Sequence, residues 1–132
     1  GLLRVAKAFA GSLKANGGGA LIQLNSVVSI KSFGDFATYS ASKAAVHSMT
    51  QALRAKLKAD SITVHGVYPG PVATRMPEGF EMETTPPDVD AKAILDGIEY
   101  GAEEILPDAM SQQAGPVYLA APKELEQAFA EF

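Results

Sequence analysis

Tyr39 and Lys43 stand four residues apart in Tyr39-Ser-Ala-Ser-Lys43. On a helix that spacing puts the phenol and the ammonium on one face, one turn apart. A free phenol titrates near pH ~10 and is a poor acid or base at neutrality. A fixed ammonium one turn away favours the phenolate. Proton transfer at neutral pH asks for about 4 kcal/mol of differential stabilisation. A screened surface ammonium does not supply that, so the pair points to a desolvated site with a second cationic group close by. A solvated helix face shows the same spacing, and the pair alone does not separate the two readings.

Two further groups belong beside it. Ser26 precedes Tyr39 by thirteen positions and falls at the C-terminal end of a predicted parallel strand. Open α/β sheets form their binding crevices there, and a hydroxyl in that place can donate to a carbonyl oxygen on which charge develops. Ser also simply ends strands, and Ser29, Ser32, Ser40 and Ser42 crowd the same stretch. The third group is Tyr68-Pro-Gly-Pro-Val72-Ala-Thr74. Its Pro and Gly residues fix a rigid turn, leaving the Val72 amide and the Thr74 hydroxyl to a polar ligand; a plain strand-ending turn has the same composition.

The elements that must carry these groups follow from hydrophobic spacing. Leu2, Val5, Ala6, Phe9 and Leu13 predict a helix over 2–13, ended by Asn16-Gly17-Gly18-Gly19. Residues 20–24 predict a buried strand and 29–36 a loop. Residues 38–59 predict the longest helix, with Asp35 or Thr38 as its cap and Ala45, Met49, Ala52, Leu53 and Leu57 as its apolar stripe. The β-branched run 62–67 predicts a second strand, stopped by Pro69-Gly70-Pro71. Residues 72–85 read as irregular. A helix runs from Pro86-Pro87-Asp88 to about Gly101, a short strand occupies 104–107, and a weak helix covers 124–129. Strands alternating with helices predict an α/β fold: a partial doubly wound, Rossmann-like parallel sheet of about three strands with flanking helices.

Composition narrows the field. The 132 residues fit a single domain at roughly 150 residues per domain. With 47% hydrophobic and 20% charged residues the chain can bury a core. A formal charge of −4 argues against nucleic acid, and no run approaches the roughly 18 apolar residues of a membrane span. The absence of Cys excludes disulfides, thiolate catalysis and Cys-held metals. A soluble, cytoplasmic domain is predicted. The opening Gly1-Leu2-Leu3-Arg4, without Met and apolar from its second residue, reads as the interior of something longer.

Taken together, Asn25-Ser26, Tyr39-x-x-x-Lys43 and Pro69-Gly70-Pro71-Val72-x-Thr74 resemble the short-chain dehydrogenase/reductase family in order and spacing. The triple Gly before the Ser-bearing strand and Ala41-Ser42-Lys43-Ala44-Ala45 look like members too. The match spans essentially the whole chain. The resemblance implies a hydride-transferring oxidoreductase that uses NAD(P) and a small alcohol or carbonyl substrate. It implies that Tyr39 is the general acid/base, that Lys43 favours its ionisation and holds the nicotinamide ribose, and that Ser26 orients the substrate carbonyl. It further implies that Pro69, Gly70, Val72 and Thr74 cup the carboxamide.

The departures are informative. The family's Thr-Gly-x-x-x-Gly-x-Gly turn, which cradles the pyrophosphate at a helix N-terminus, is absent; Gly17 to Gly19 follow a helix and precede a strand, the reverse order. The family's Asn-x-x-Gly would place its Asn three residues before Gly1. His65 stands where the family usually has Asn. Residues 1–132 therefore look like the C-terminal half of such a domain, its fifth to seventh strands, inactive in isolation. The first strand would then lose a neighbour, and helices 2–13 and 38–59 resemble those through which family members dimerise, so a homo-oligomer is expected. A second reading, from another class, is a non-catalytic remnant or interaction module that keeps half of the fold. A metal site is not expected: His47 and His65 are the only His and have no Cys companions. No Gly-x-Ser-x-Gly elbow suggests a hydrolase. Glu78, Glu81 and Glu83 read as an exposed, solvated loop; the resemblance implies that Met76, Phe80 and Met82 in the same stretch line a substrate pocket.

Overall fold

The computed structural model describes residues 1–76 and 82–120, with Leu119 described in its backbone alone. The acidic loop's Glu78 and Glu81, the pocket residue Phe80 and the helix expected over 124–129 lie outside them. Helix α1 (Leu2–Ala15) leads into strand β1 (Gly19–Leu24), and helix α2 (Ala37–Leu57) into strand β2 (Ile62–Val67). Helix α3 (Pro87–Glu99), the two-residue strand β3 (Glu104–Ile105) and helix α4 (Ala109–Ala120) follow. Single 3-10 turns occupy Val27–Ser29, Gly34–Phe36 and Lys58–Asp60. The strands form one parallel sheet in the order β1-β2-β3, with Leu21 opposite Val64 and Val67 opposite Ile105.

Local chemistry explains most boundaries. Gly17 turns left-handed after α1, at φ +87°, and the Gly18 amide reaches back to the Leu13 carbonyl at 2.9 Å. Pro87 opens α3, where its missing N–H costs nothing. Two expectations fail. Helix α2 is capped by neither Asp35 nor Thr38: Phe36 is its N-cap residue and makes no side-chain cap bond. And α4 fills a stretch for which no helix was expected. Its interior Gly115 and Pro116 disguise it, but Asp108 and Ser111 cap it reciprocally, and Gly115 leaves room for the Leu106 side chain.

The main core lies where α1 and α2 cross one face of the sheet: Ala6, Leu53 and Leu57 meet Leu21, Ile62 and Val64. Strand residues alternate between faces, so Val67 and its partner Ile105 point to the other side, where Gly97 of α3 lies against Ile105. Both crossovers step the same way across the sheet yet set their helices on opposite faces. They are therefore of opposite hand, and one departs from the strongly preferred right-handed connection. The apolar stripes are only partly used: Val5 and Phe9 of α1 are exposed, as are Ala45 and Ala52 of α2. On the α3 side of the edge strand, Ile22 and Leu24 are 46% and 61% exposed.

Candidate active site

Ladder bonds between β1 and β2 continue past the strand ends: the Asn25 amide donates to the Val67 carbonyl at 2.8 Å and the Val27 amide to that of Pro69 at 2.9 Å. That extension sets Ser26 beside Pro69, at the C-terminal end of two parallel strands. The buried Ser26 hydroxyl donates to the Pro69 carbonyl and accepts from the Val28 amide, both at 3.4 Å. These are long bonds, at the weak end of the range.

Lys43 reaches the same strand end from α2. Its ammonium donates to the carbonyls of Leu24 and Asn25, at 3.2 and 3.3 Å, which among the described residues leaves one of its three N–H groups unspent. The same ammonium lies 5.7 Å from the centre of the Tyr39 ring. Burial pushes the Lys43 ammonium below its usual value, since desolvation penalises the charged form. The Tyr39 side chain is half-buried. Thus Lys43 joins Tyr39 to the strand end that carries Ser26, and Ser26 in turn touches the Pro69 turn. In that turn Gly70 and Val72 are half-buried and Thr74 exposed. The Thr74 hydroxyl accepts from the Met76 amide at 3.2 Å, so its proton is free to be donated. A hollow of about 210 Å³ is lined by Ser29, Ser32, Ser40 and Ala44 among others and by none of these residues.

One turn beyond Lys43, His47 extends the polar face of α2 and meets a residue to which the sequence assigned no separate role. The Tyr68 hydroxyl shares a 2.8 Å hydrogen bond with His47 Nδ1, the two rings edge to face at 5.4 Å. Tyr68 is the largest fully buried side chain described. Burial, with the Glu104 charge adding to it, pushes its phenol up to about 12, so Tyr68 stays neutral. Gly66 makes its seat: a Cβ there would lie 2.6 Å from the Tyr68 oxygen. Asn25 donates from Nδ2 to the Thr50 hydroxyl at 3.4 Å, holding the residue before Ser26 against α2. His65, on the other face, is buried and donates from Nδ1 to the Ala102 carbonyl at 2.6 Å.

Sequence spacing also missed two carboxylates. Asp108 accepts the Gly70 amide at 2.6 Å. Asp90, at the start of α3, is buried with neither oxygen hydrogen-bonded among the described residues, and burial followed by the Asp108 charge pushes its carboxyl above the usual range. Neither lies in a chemical motif, and only the register of α3 and α4 against the turn reveals them.

The family model described as short chain dehydrogenase matches residues 1–84. NADPH-dependent aldehyde reductase 2 (chloroplastic) of Arabidopsis thaliana is 44% identical over 71 residues, 54% of this chain and 26% of that one. The short-chain dehydrogenase/reductase homolog YusR of Bacillus subtilis is 38% identical over 81 residues, 61% of this chain and 62% of that one. A crystal structure of a short chain dehydrogenase from Burkholderia cenocepacia in complex with NADP superposes with a TM-score of 0.90 at 32% identity, covering 96% of this chain and 53% of that one. The chain thus spans about a quarter of the Arabidopsis protein and about half of the Burkholderia one.

Proposed function

We infer the function from the family to which the chain belongs, the short-chain dehydrogenases: it is the catalytic C-terminal half of an NAD(P)-dependent oxidoreductase acting on a small alcohol or carbonyl compound. The observation that carries this reading is the Lys43 ammonium bridging the Tyr39 ring to the β1 end that bears Ser26. The residues fit a nicotinamide nucleotide: Lys43 keeps one N–H for a ribose hydroxyl, and the Val72 amide, without a hydrogen-bond partner among the described residues, suits a carboxamide oxygen. When bound, NAD(P)H supplies the hydride. Tyr39 passes its phenolic proton to the carbonyl oxygen as the carbonyl carbon is reduced, and the alcohol results. Lys43 favours the phenolate left behind, and Ser26 holds the carbonyl oxygen by turning its hydroxyl from the Pro69 carbonyl. A cytoplasmic location belongs to this reading; among the described residues no helix is long and apolar enough to cross a membrane.

The 132 residues contain no glycine-rich pyrophosphate cradle, so on their own they are expected to bind NADP(H) only weakly and to turn nothing over. Joining the half of the Burkholderia protein that this chain does not cover ahead of Gly1 should bring micromolar affinity and aldehyde reduction. Calorimetry and NADPH consumption measure both. Micromolar binding by the 132 residues alone would overturn the half-site reading, and a well-folded chimera that binds NADPH without reducing any aldehyde would sink the catalytic one. The second outcome favours a non-catalytic remnant or interaction module that keeps half of the fold.

Self-association belongs to the same proposal. Leu3, Val5 and Phe9 of α1 are 37%, 54% and 58% exposed, and Leu3 also lines a groove of about 450 Å³ between α1 and α2 with Ala6, Met49 and Leu53. Sedimentation should show a dimer or larger species, shifted towards monomer by Phe9→Glu. A wild-type chain that stays monomeric at high concentration removes the oligomer from the proposal.

A further inference from the structure

We propose that Asp108 is a positioning residue for the turn 69–71, gripping the Gly70 amide so that Val72 and Thr74 face the nicotinamide; this rests on the role assigned to that turn above. In Pro69-Gly70-Pro71 the two prolines have no N–H. Gly70 therefore offers the tripeptide's one main-chain donor, and that donor goes to Asp108 Oδ2 at 2.6 Å across 38 residues of sequence. A bond to a charged acceptor is shorter and about twice as strong as a neutral one. Because both prolines fix their own φ, one such bond sets the direction of the whole turn.

The carboxylate is itself held rigidly. Its other oxygen accepts the Ser111 amide at 2.9 Å, and the Ser111 hydroxyl lies 3.2 Å from the Asp108 amide, a reciprocal cap on α4. Asp108 is 5% exposed and Ser111 fully buried. The N-terminus of a 12-residue helix favours the negative charge, and α4 is anchored against Val27 and Val28 through Ala114 and Met110. The approach also explains the glycine. Gly70 has no left-handed φ to justify it; instead a Cβ would stand 2.9 Å from Asp108 Oδ1 and 3.2 Å from Met110 Cβ. A side chain at position 70 would push the carboxylate off the amide.

Asp108→Asn separates the grip from the cap. An amide keeps the shape but has a single acceptor oxygen, and Asn is a good N-cap residue, so the helix keeps its cap and the turn loses its hold. Ser111→Ala is the counterpart, weakening the cap while leaving both carboxylate oxygens. Two readouts apply to the 132-residue chain: hydrogen exchange of the Gly70 amide, and movement of the Val72 and Thr74 amide resonances on adding millimolar nicotinamide mononucleotide, which needs no pyrophosphate cradle. We expect Asp108→Asn to speed Gly70 exchange by about tenfold or more and to diminish the response of Val72 and Thr74. Ser111→Ala, destabilised to a similar degree, should retain both. Wild-type exchange and response in Asp108→Asn would overturn the positioning role, as would equal losses in the two variants. A protected Gly70 in a wild-type chain whose Val72 and Thr74 ignore the mononucleotide would instead overturn the cofactor role of the turn, a failure recognisably different from the first.

Discussion

Replacing Tyr39 by Phe is expected to lower carbonyl reduction by about 10²–10⁴-fold, the usual contribution of a positioned proton donor, with NADPH affinity unchanged. The substitution deletes one oxygen from a half-buried ring and leaves the ring itself beside the Lys43 ammonium. Lys43 keeps its bonds to the Leu24 and Asn25 carbonyls, because neither passes through the phenol. Binding groups survive and the proton carrier goes. The assay is steady-state NADPH consumption by the chimera described above, with cofactor titrated separately by calorimetry. Turnover within a few-fold of the parent would mean that another group moves the proton. Tyr68 is not that group: a phenol pushed up to about 12 by burial holds its proton too tightly to trade it at neutrality.

Tyr68→Ala is expected to cost about 3–5 kcal/mol, as large aromatic-to-Ala changes in cores do. For a domain whose whole stability is roughly 5–15 kcal/mol, that unfolds a large share of molecules at moderate denaturant. The ring is 1% exposed and sits in the space that Gly66 leaves open, against the His47 ring, so its removal opens a cavity between α2 and β2. Tyr68→Phe keeps the ring and deletes the hydroxyl that bonds His47, at about 1 kcal/mol for one hydrogen bond. Urea midpoints compare the two. Equal losses would show that the hydroxyl, and not the packed ring, holds α2 to the end of β2. A small loss for both would show that the ring is not part of the core at all.

Much of this was legible in the sequence because periodicity and spacing report local order. The 3.6-residue recurrence in α1 and α2, the β-branched run of β2 and the glycines after α1 each respond to neighbours within a few positions, and the elements stand where those signals put them. The four-residue offset of Tyr39 and Lys43 likewise reads directly as one helix face. What stayed hidden depends on distant partners. Nothing near Tyr68 announces that it fills the space above Gly66, or that His47, unremarkable as a lone histidine, closes a bond 21 residues away. Asp108 carries no local signal, since its partner Gly70 is 38 positions earlier. The stripe expected on α2 was too wide for a related reason. Ala45 and Ala52 are apolar but face outwards, whereas Ser40 and Thr50 are buried against the sheet side, Thr50 by spending its hydroxyl on the Val46 carbonyl.

The opposite placement of α2 and α3 has a mechanical corollary. Strand β2 is the one layer held from every direction, flanked by a strand on each side and buried at five of its six residues. Strand β1 is flanked on one side and keeps two large apolar side chains in water. Partial openings of a protein start where contacts are fewest, so the first to loosen is the strand carrying Asn25 and Ser26, and with it the carbonyls that steady Lys43. The turn that follows β2 would outlast them. Whatever covers β1 in a complete assembly therefore governs the Ser26 and Lys43 end of the site more strongly than the turn at Pro69.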